Sequence, residues 1–133
     1  MKKIKVFIEM SSYGYSAYMD DTPLDYSCIG EGKTVQETID DFNVSYDEMR
    51  QYYHSIGKYF EEVEYDFYYD TASFLQYYGK AFSLAGLEVI TGVNQTQLGH
   101  YLHGRRKPRR KTIDKIQQGV ERFAQELTVV RFS

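Results

Sequence analysis

Seven apolar side chains, Val35, Ile39, Phe42, Tyr46, Met49, Tyr53 and Ile56, recur at alternating steps of four and three residues. That rhythm keeps one face in line through successive helical turns and predicts a helix from Val35 to about Ser55. Thr34 stands just ahead of it, with Glu37 three residues on, the spacing of a capping box. A helix this long with a single apolar face needs a broad surface to lie on, and the flanking segments supply one.

Lys3 to Met10 alternates, with Ile4, Val6 and Ile8 on one side, and reads as a strand. Ser11-Ser12-Tyr13-Gly14 is a turn. Tyr15 to Met19 forms a second strand, with Tyr15, Ala17 and Met19 opposite Ser16 and Tyr18. Asp20-Asp21-Thr22-Pro23 breaks it. Tyr26 to Ile29 makes a short third strand, closed by Gly30-Glu31-Gly32. After the long helix, Val63, Tyr65, Phe67 and Tyr69 alternate with Glu64, Asp66 and Tyr68, a fourth strand. This order predicts an α+β fold, a small antiparallel β-sheet covered by one long helix. The fourteen tyrosines sit mainly in the first eighty residues, where an apolar ring with a polar tip suits half-buried strands and interfaces.

From Asp70 onward the pattern is helical. Asp70 is placed to cap a helix through Phe74, Leu75, Tyr78 and Phe82. Thr112 is placed to cap a last helix marked by Ile113, Ile116, Val120, Phe123 and Leu127. Thr128 to Phe132 is β-prone and reads as a terminal strand. With no repeat and no low-complexity linker, the boundary is tight: residues 1–70 form a sheet domain and residues 71–133 an all-α domain.

Charge divides the chain in the same way. The net charge of −3 over 133 residues conceals two opposite halves. Residues 1–80 hold seven Lys/Arg against fifteen Asp/Glu, a net −8, and residues 81–133 hold nine against four, a net +5. A polyanion suits the second half and a basic protein the first.

Cys28 is the single cysteine, which rules out a disulfide framework and a four-cysteine zinc site. Neither a signal peptide nor a membrane span is read, so a reducing cytoplasmic setting is expected. Asp20, Asp21 and Asp25 cluster around a turn, but turn aspartates diverge and do not make a paired metal site. His100 and His103 stand three apart with no third ligand near them. No catalytic residue, cofactor or metal site is expected, and the chain is not read as an enzyme.

The chemistry-bearing stretch is Ser83 to Lys111. A short helix through Leu87 ends at Gly92, which can take a left-handed conformation; Val93 plugs the turn, Asn94 caps the next helix and Leu98 faces inward. This is the layout of a helix-turn-helix. Gln95, Thr96 and Gln97 then lie on the first turn of the second helix, where side chains reach base edges, and His100 lies about one turn further on. Glutamine pairs with adenine in bidentate fashion. Arg105-Arg106-Lys107-Pro108-Arg109-Arg110-Lys111 follows at once, six cations in seven positions, placed for backbone contacts.

Gly92-Val93-Asn94-Gln95-Thr96-Gln97-Leu98, Gly104-Arg105-Arg106-Lys107-Pro108 and Thr112-Ile113-Asp114-Lys115-Ile116 resemble the lambda-repressor-like, xenobiotic-response-element family of helix-turn-helix domains over roughly residues 71–127. The resemblance implies an all-α domain of about five helices that binds operator DNA as a homodimer or higher homo-oligomer. It implies Gln95, Thr96 and His100 as base-facing and Asn94, Arg105, Arg106 and Lys107 as phosphate-facing, with Gln97 beside them. Glu88 stands where the family usually has a small residue, and Gly99 weakens the second helix.

Residues 1–70 are similar to the N-terminal domain of HicB-type antitoxins. The likeness lies in Lys5-Val6-Phe7-Ile8-Glu9, Gly14-Tyr15-Ser16-Ala17-Tyr18 and Gly32-Lys33-Thr34-Val35-Gln36-Glu37-Thr38-Ile39. It implies a partial ribonuclease-H-like fold without the nuclease site, which neutralises a small basic, RNA-cleaving HicA-like toxin. The combined expectation is an antitoxin that represses its own operon. The alternative is a stand-alone transcriptional regulator whose sheet domain dimerises or senses a ligand. The last helix and Thr128 to Phe132 are expected to join protomers.

Overall fold

The computed structural model of the chain describes residues 1–20 and 23–133. Asp21 and Thr22, part of the turn predicted after the second strand, lie outside the described residues, as does the Asp21 member of the aspartate cluster weighed above. The chain forms two compact units, Met1–Tyr77 and Tyr78–Ser133.

In the first unit the elements are β1 (Lys3–Ser11), β2 (Gly14–Met19), β3 (Ile29–Gly32), α1 (Val35–Ser55), β4 (Glu64–Tyr69) and α2 (Thr71–Tyr78), the last ending at the boundary. The helix predicted from the four-three rhythm is α1, and its cap is built as the capping box requires. Thr34 Oγ1 accepts from the Glu37 N–H at 3.1 Å, and Glu37 Oε2 accepts from the Lys33 N–H at 2.9 Å.

The sheet is mixed, not antiparallel as predicted. Its order is β3-β2-β1-β4, with β1 antiparallel to β2 and parallel to β4. The cause is α1. It carries the chain from one edge strand, β3, to the other, β4, and a helical crossover brings the chain back running the same way. The third strand is also displaced. It runs over Ile29–Gly32, so the glycines read as its terminator are its body. A Cβ on Gly30 would come within 2.6 Å of the Phe42 nitrogen and the Thr38 oxygen, and one on Gly32 within 2.7 Å of the Glu37 Cβ. The strand is built of glycine because α1 lies almost in backbone contact with it.

The core of this unit joins Val6 and Ile8 of β1, Ala17 of β2 and Cys28 to Val35, Thr38 and Phe42 of α1, all essentially fully buried. Burial pushes the Cys28 thiol pKa up, as befits an inert core cysteine. Three of the fourteen tyrosines gather at one end of α1, where Tyr26, Tyr46, Tyr53 and Phe60 pack edge to face or stacked. Their polar tips end on partners: Tyr26 donates to the Glu61 carbonyl at 2.6 Å, Tyr46 Oη accepts from the Val63 N–H at 3.0 Å, and Tyr53 donates to Asp25 Oδ1 at 3.1 Å.

Asp70 caps α2 as expected, accepting from the Ser73 N–H at 2.8 Å through Oδ1 while Oδ2 accepts from the Met10 N–H at 3.0 Å. That second bond ties α2 to β1. Gln76 Oε1 accepts from the Val35 N–H at 2.9 Å, and the Tyr77 ring stacks on Tyr69. Every one of these partners belongs to the first unit, Met10 and Tyr69 to the sheet and Val35 to α1. The boundary thus falls after Tyr77 rather than after residue 70, and Phe82 lies outside α2.

The second unit accordingly contains three helices past the boundary, α3 (Leu84–Thr91), α4 (Gln95–Leu102) and α5 (Arg110–Thr128), fewer than the five expected. Leu87, Val93, Leu98, Tyr101 and Ile116 form its buried core, and the Phe82 ring meets Phe123 edge to face. Gly119 lets α5 cross α3 closely, since a Cβ there would stand 2.5 Å from the Ile90 carbonyl oxygen. α5 starts two residues ahead of the predicted cap. Arg109 is extended and Arg110 is already helical, so Thr112 lies within the first turn and no side chain caps the start. Thr128 ends α5, and Val129 to Phe132 form no strand: they have no strand to pair with in this unit and are exposed.

Candidate nucleic-acid interface

The link between α3 and α4 is three residues long and locally over-determined. Gly92 adopts φ +73°, the left-handed region, and its N–H closes α3 on the Glu88 carbonyl. Thr91 Oγ1 accepts from the Val93 N–H at 3.1 Å, which fixes the turn with Val93 buried beneath it. From α5, Lys115 Nζ donates to the Gly92 carbonyl at 3.1 Å. The angle at which α4 leaves α3 is therefore held by backbone conformation, a buried plug and a lysine on a third helix.

At the start of α4, Asn94 Oδ1 accepts from the Thr96 N–H at 2.8 Å, the predicted cap. The Gln95 N–H is also occupied. It donates to Glu88 Oε1 at 2.7 Å. Glu88 thus caps the next helix, seven residues further along the chain. This role went unread because a reciprocal cap is sought three residues away, not seven.

Leu98 and Tyr101 turn inward, which leaves Gln95, Thr96 and Gln97 exposed on the first turn. His100 differs from these three. It is half-buried, and its Nδ1 is enclosed with no hydrogen-bond partner among the described residues. Gly99, beside it, faces Leu84, and a Cβ there would make an ordinary contact at 3.6 Å.

Arg105, Arg106 and Lys107 are exposed. Of the six cations between residues 105 and 111, Arg110 pairs with Asp114 at 3.1 Å. The other five have no ion pair among the described residues, and their charge is not cancelled from within the unit. Gln97 and Tyr101 of α4 join Arg106, Lys107, Arg109 and Thr112 around an open cleft of about 480 Å³. Tyr101, Arg109 and Thr112 were not singled out from sequence as site residues. For Arg109 the signal was present in the basic run, whereas Tyr101 and Thr112 carry none. The cleft offers amide, hydroxyl, guanidinium and ammonium groups in one place, the donor set that holds a phosphodiester oxygen.

Among the described residues no group of three His, Cys, Asp or Glu is placed to hold a metal ion, and no helix is long and apolar enough to cross a membrane. Comparison with protein-family models, curated proteins and solved structures returns no match.

Proposed function

We propose that the chain is a HicB-like antitoxin that also represses its own operon. The unit Tyr78–Ser133 would bind operator DNA as a helix-turn-helix, with α4 as the recognition helix. The unit Met1–Tyr77, a partial ribonuclease-H-like sheet, would neutralise a small basic HicA-like toxin in the cytoplasm. The observation that carries the DNA reading is the uncancelled basic run next to three exposed polar side chains on the first turn of α4. In this reading Gln95, Thr96 and Gln97 meet base edges, Asn94, Arg105, Arg106 and Lys107 meet phosphates, and His100 borders the contact.

A homodimer on a palindromic operator, with half-sites about one helical turn apart, follows from the docking geometry of such domains. Leu127, Val129, Val130 and Phe132 are exposed at the end of α5, an apolar patch suited to joining two protomers.

The charge split supports the division of labour. Met1–Tyr77 carries six Lys/Arg against fifteen Asp/Glu and Tyr78–Ser133 ten against four. The test is co-expression with the small open reading frame beside this one, followed by co-purification and a gel-shift on the operon's own promoter. A stable complex that needs residues 1–77, together with specific promoter binding, is the expected result. Promoter binding without a complex favours the stand-alone regulator whose sheet unit dimerises or senses a ligand. Neither activity refutes both readings.

A further inference from the structure

α1 covers one face of the sheet, and the other face carries a feature that DNA binding leaves unused. Strand alternation sends Phe7, Tyr18, Ile29 and Tyr68 to that open face. The register then lines them up: Phe7 stands opposite Tyr18 on β2 and Tyr68 on β4, and Tyr18 stands opposite Ile29 on β3. A single apolar row therefore crosses all four strands. The Phe7 ring lies 5.8 Å from Tyr18 and 5.7 Å from Tyr68, centroid to centroid. Ile29 is 62% exposed and Tyr68 45%.

The rows on either side are charged. Lys5 and Asp66 are register partners on one side, with Lys3 and Glu64 beyond them, and Glu9 and Glu31 flank Ser16 on the other. Four carboxylates thus face two ammonium groups. One cation already uses an aromatic surface here, since Lys5 Nζ sits 5.1 Å from the Tyr68 centroid. Glu9 accepts from the Tyr18 hydroxyl at 2.7 Å, which fixes one carboxylate at the rim of the row.

We propose that this row is the docking surface for a cationic protein, whose arginine or lysine stems lie along Phe7, Tyr18, Ile29 and Tyr68 and whose charged ends reach Glu9, Glu31 and Asp66. Charge selects the occupant. A second copy docking face to face would bring eight carboxylates together with only four ammonium groups, and a nucleic acid would set phosphates against the carboxylates. A basic surface gains both the ion pairs and the π-faces. The proposal rests on the reading of Met1–Tyr77 as the partner-binding unit and adds which face does the binding.

The test titrates the isotope-labelled full chain with a nona-arginine peptide and follows amide shifts. Shifts concentrated on the open-face positions of β1 to β4 are expected. Phe7→Ser with Tyr68→Ser, which removes no charge, should weaken binding about fivefold or more. Asp40→Asn with Glu48→Gln, which removes two exposed charges from α1, should change it less than about twofold. If the serine variant loses its native spectrum, Glu9→Gln with Glu31→Gln, both exposed, should show the same fivefold weakening. Shifts spread evenly over the acidic residues of α1, or unchanged binding by the folded variants, would overturn the proposal. So would sedimentation showing that the row joins two copies of the chain. Failure to find a co-purifying toxin would remove the antitoxin reading while leaving the titration result intact.

Discussion

Replacing Arg105, Arg106 and Lys107 together with alanine tests the DNA reading most directly. All three are exposed and none is in an ion pair among the described residues, so their removal costs the fold little. If each neutralises one phosphate, the slope of log K against log salt should flatten by about 0.9 per contact, or about 2.7 for three. Between 50 and 200 mM salt the native chain should then lose roughly 40-fold more affinity than the triple variant does. Arg110→Ala is the internal control. Its guanidinium is held by Asp114, so its removal should change the slope by well under one contact. The assay is fluorescence anisotropy on a labelled promoter duplex at four or more salt concentrations, with circular dichroism to show that the fold is kept. A weaker variant with an unchanged slope would mean that these side chains do not meet phosphates, and the assignment would fall.

The other predictions concern reading, packing and titration. Gln95→Ala should relax preference at one base position in a binding-site selection; uniform weakening over all sequences would argue that Gln95 does not read a base. Gly30→Ala should destabilise the sheet unit by about 3 kcal/mol or more in urea unfolding. The added Cβ would meet backbone atoms of Thr38 and Phe42, which no rotamer change relieves, and a loss under about 1 kcal/mol would refute the close approach. Tyr15, Tyr26 and Tyr65 are raised above the ordinary phenol pKa of 10.0 with burial as the leading cause, and burial then the Asp25 contact raise Tyr53. Tyr18 is pushed up to about 12, chiefly by its hydrogen bond to Glu9. The fold favours the neutral phenol, so this stabilisation is fully present below pH 10 and fades as pH climbs through the folded-state values. Ultraviolet titration should show a late group of tyrosines ionising with alkaline unfolding; a single wave centred near 10 would contradict the contacts assigned to them.

The sequence was most legible where periodicity and local chemistry agreed. α1 and its box at Thr34 and Glu37, the Asp70 cap, and the Gly92-Val93-Asn94 link all depend on residues close in the chain, and the structure places them as read. What alternation cannot supply is the identity of a neighbour. Val63 to Tyr69 reads as a strand whichever way it pairs, so the parallel partnership with β1 was invisible. Gly30 and Gly32 carry the composition of a turn, and only the approach of α1 makes them a strand. α2 offers Ala72, Ser73 and Leu75 to some core, but nothing in those residues says whether the core lies before or after them. In the candidate interface the cations announced themselves, whereas Glu88 and Tyr101 did not. Their roles are set by the fold around the turn, which places one on the Gln95 amide and the other in the wall of a cleft. Val129 and Val130 have strand propensity and no strand to join, so propensity lost to the lack of a partner.

β1 lies inside the sheet, with β2 on one flank and β4 on the other, although it is the first strand in the chain. This sets a sequence of events in time. The β1–β2 hairpin closes over a turn of a few residues and can form within microseconds. The second flank of β1 stays open until α1 has been made and has carried the chain across the sheet, because Lys3 pairs with Glu64 and Ile8 with Tyr69. During synthesis, at about 5–20 residues per second, that edge is bare for several seconds. A newly made chain therefore passes through an interval in which a half-built sheet is open to any extended peptide nearby, and a chaperone or a partner present at the ribosome would meet it then.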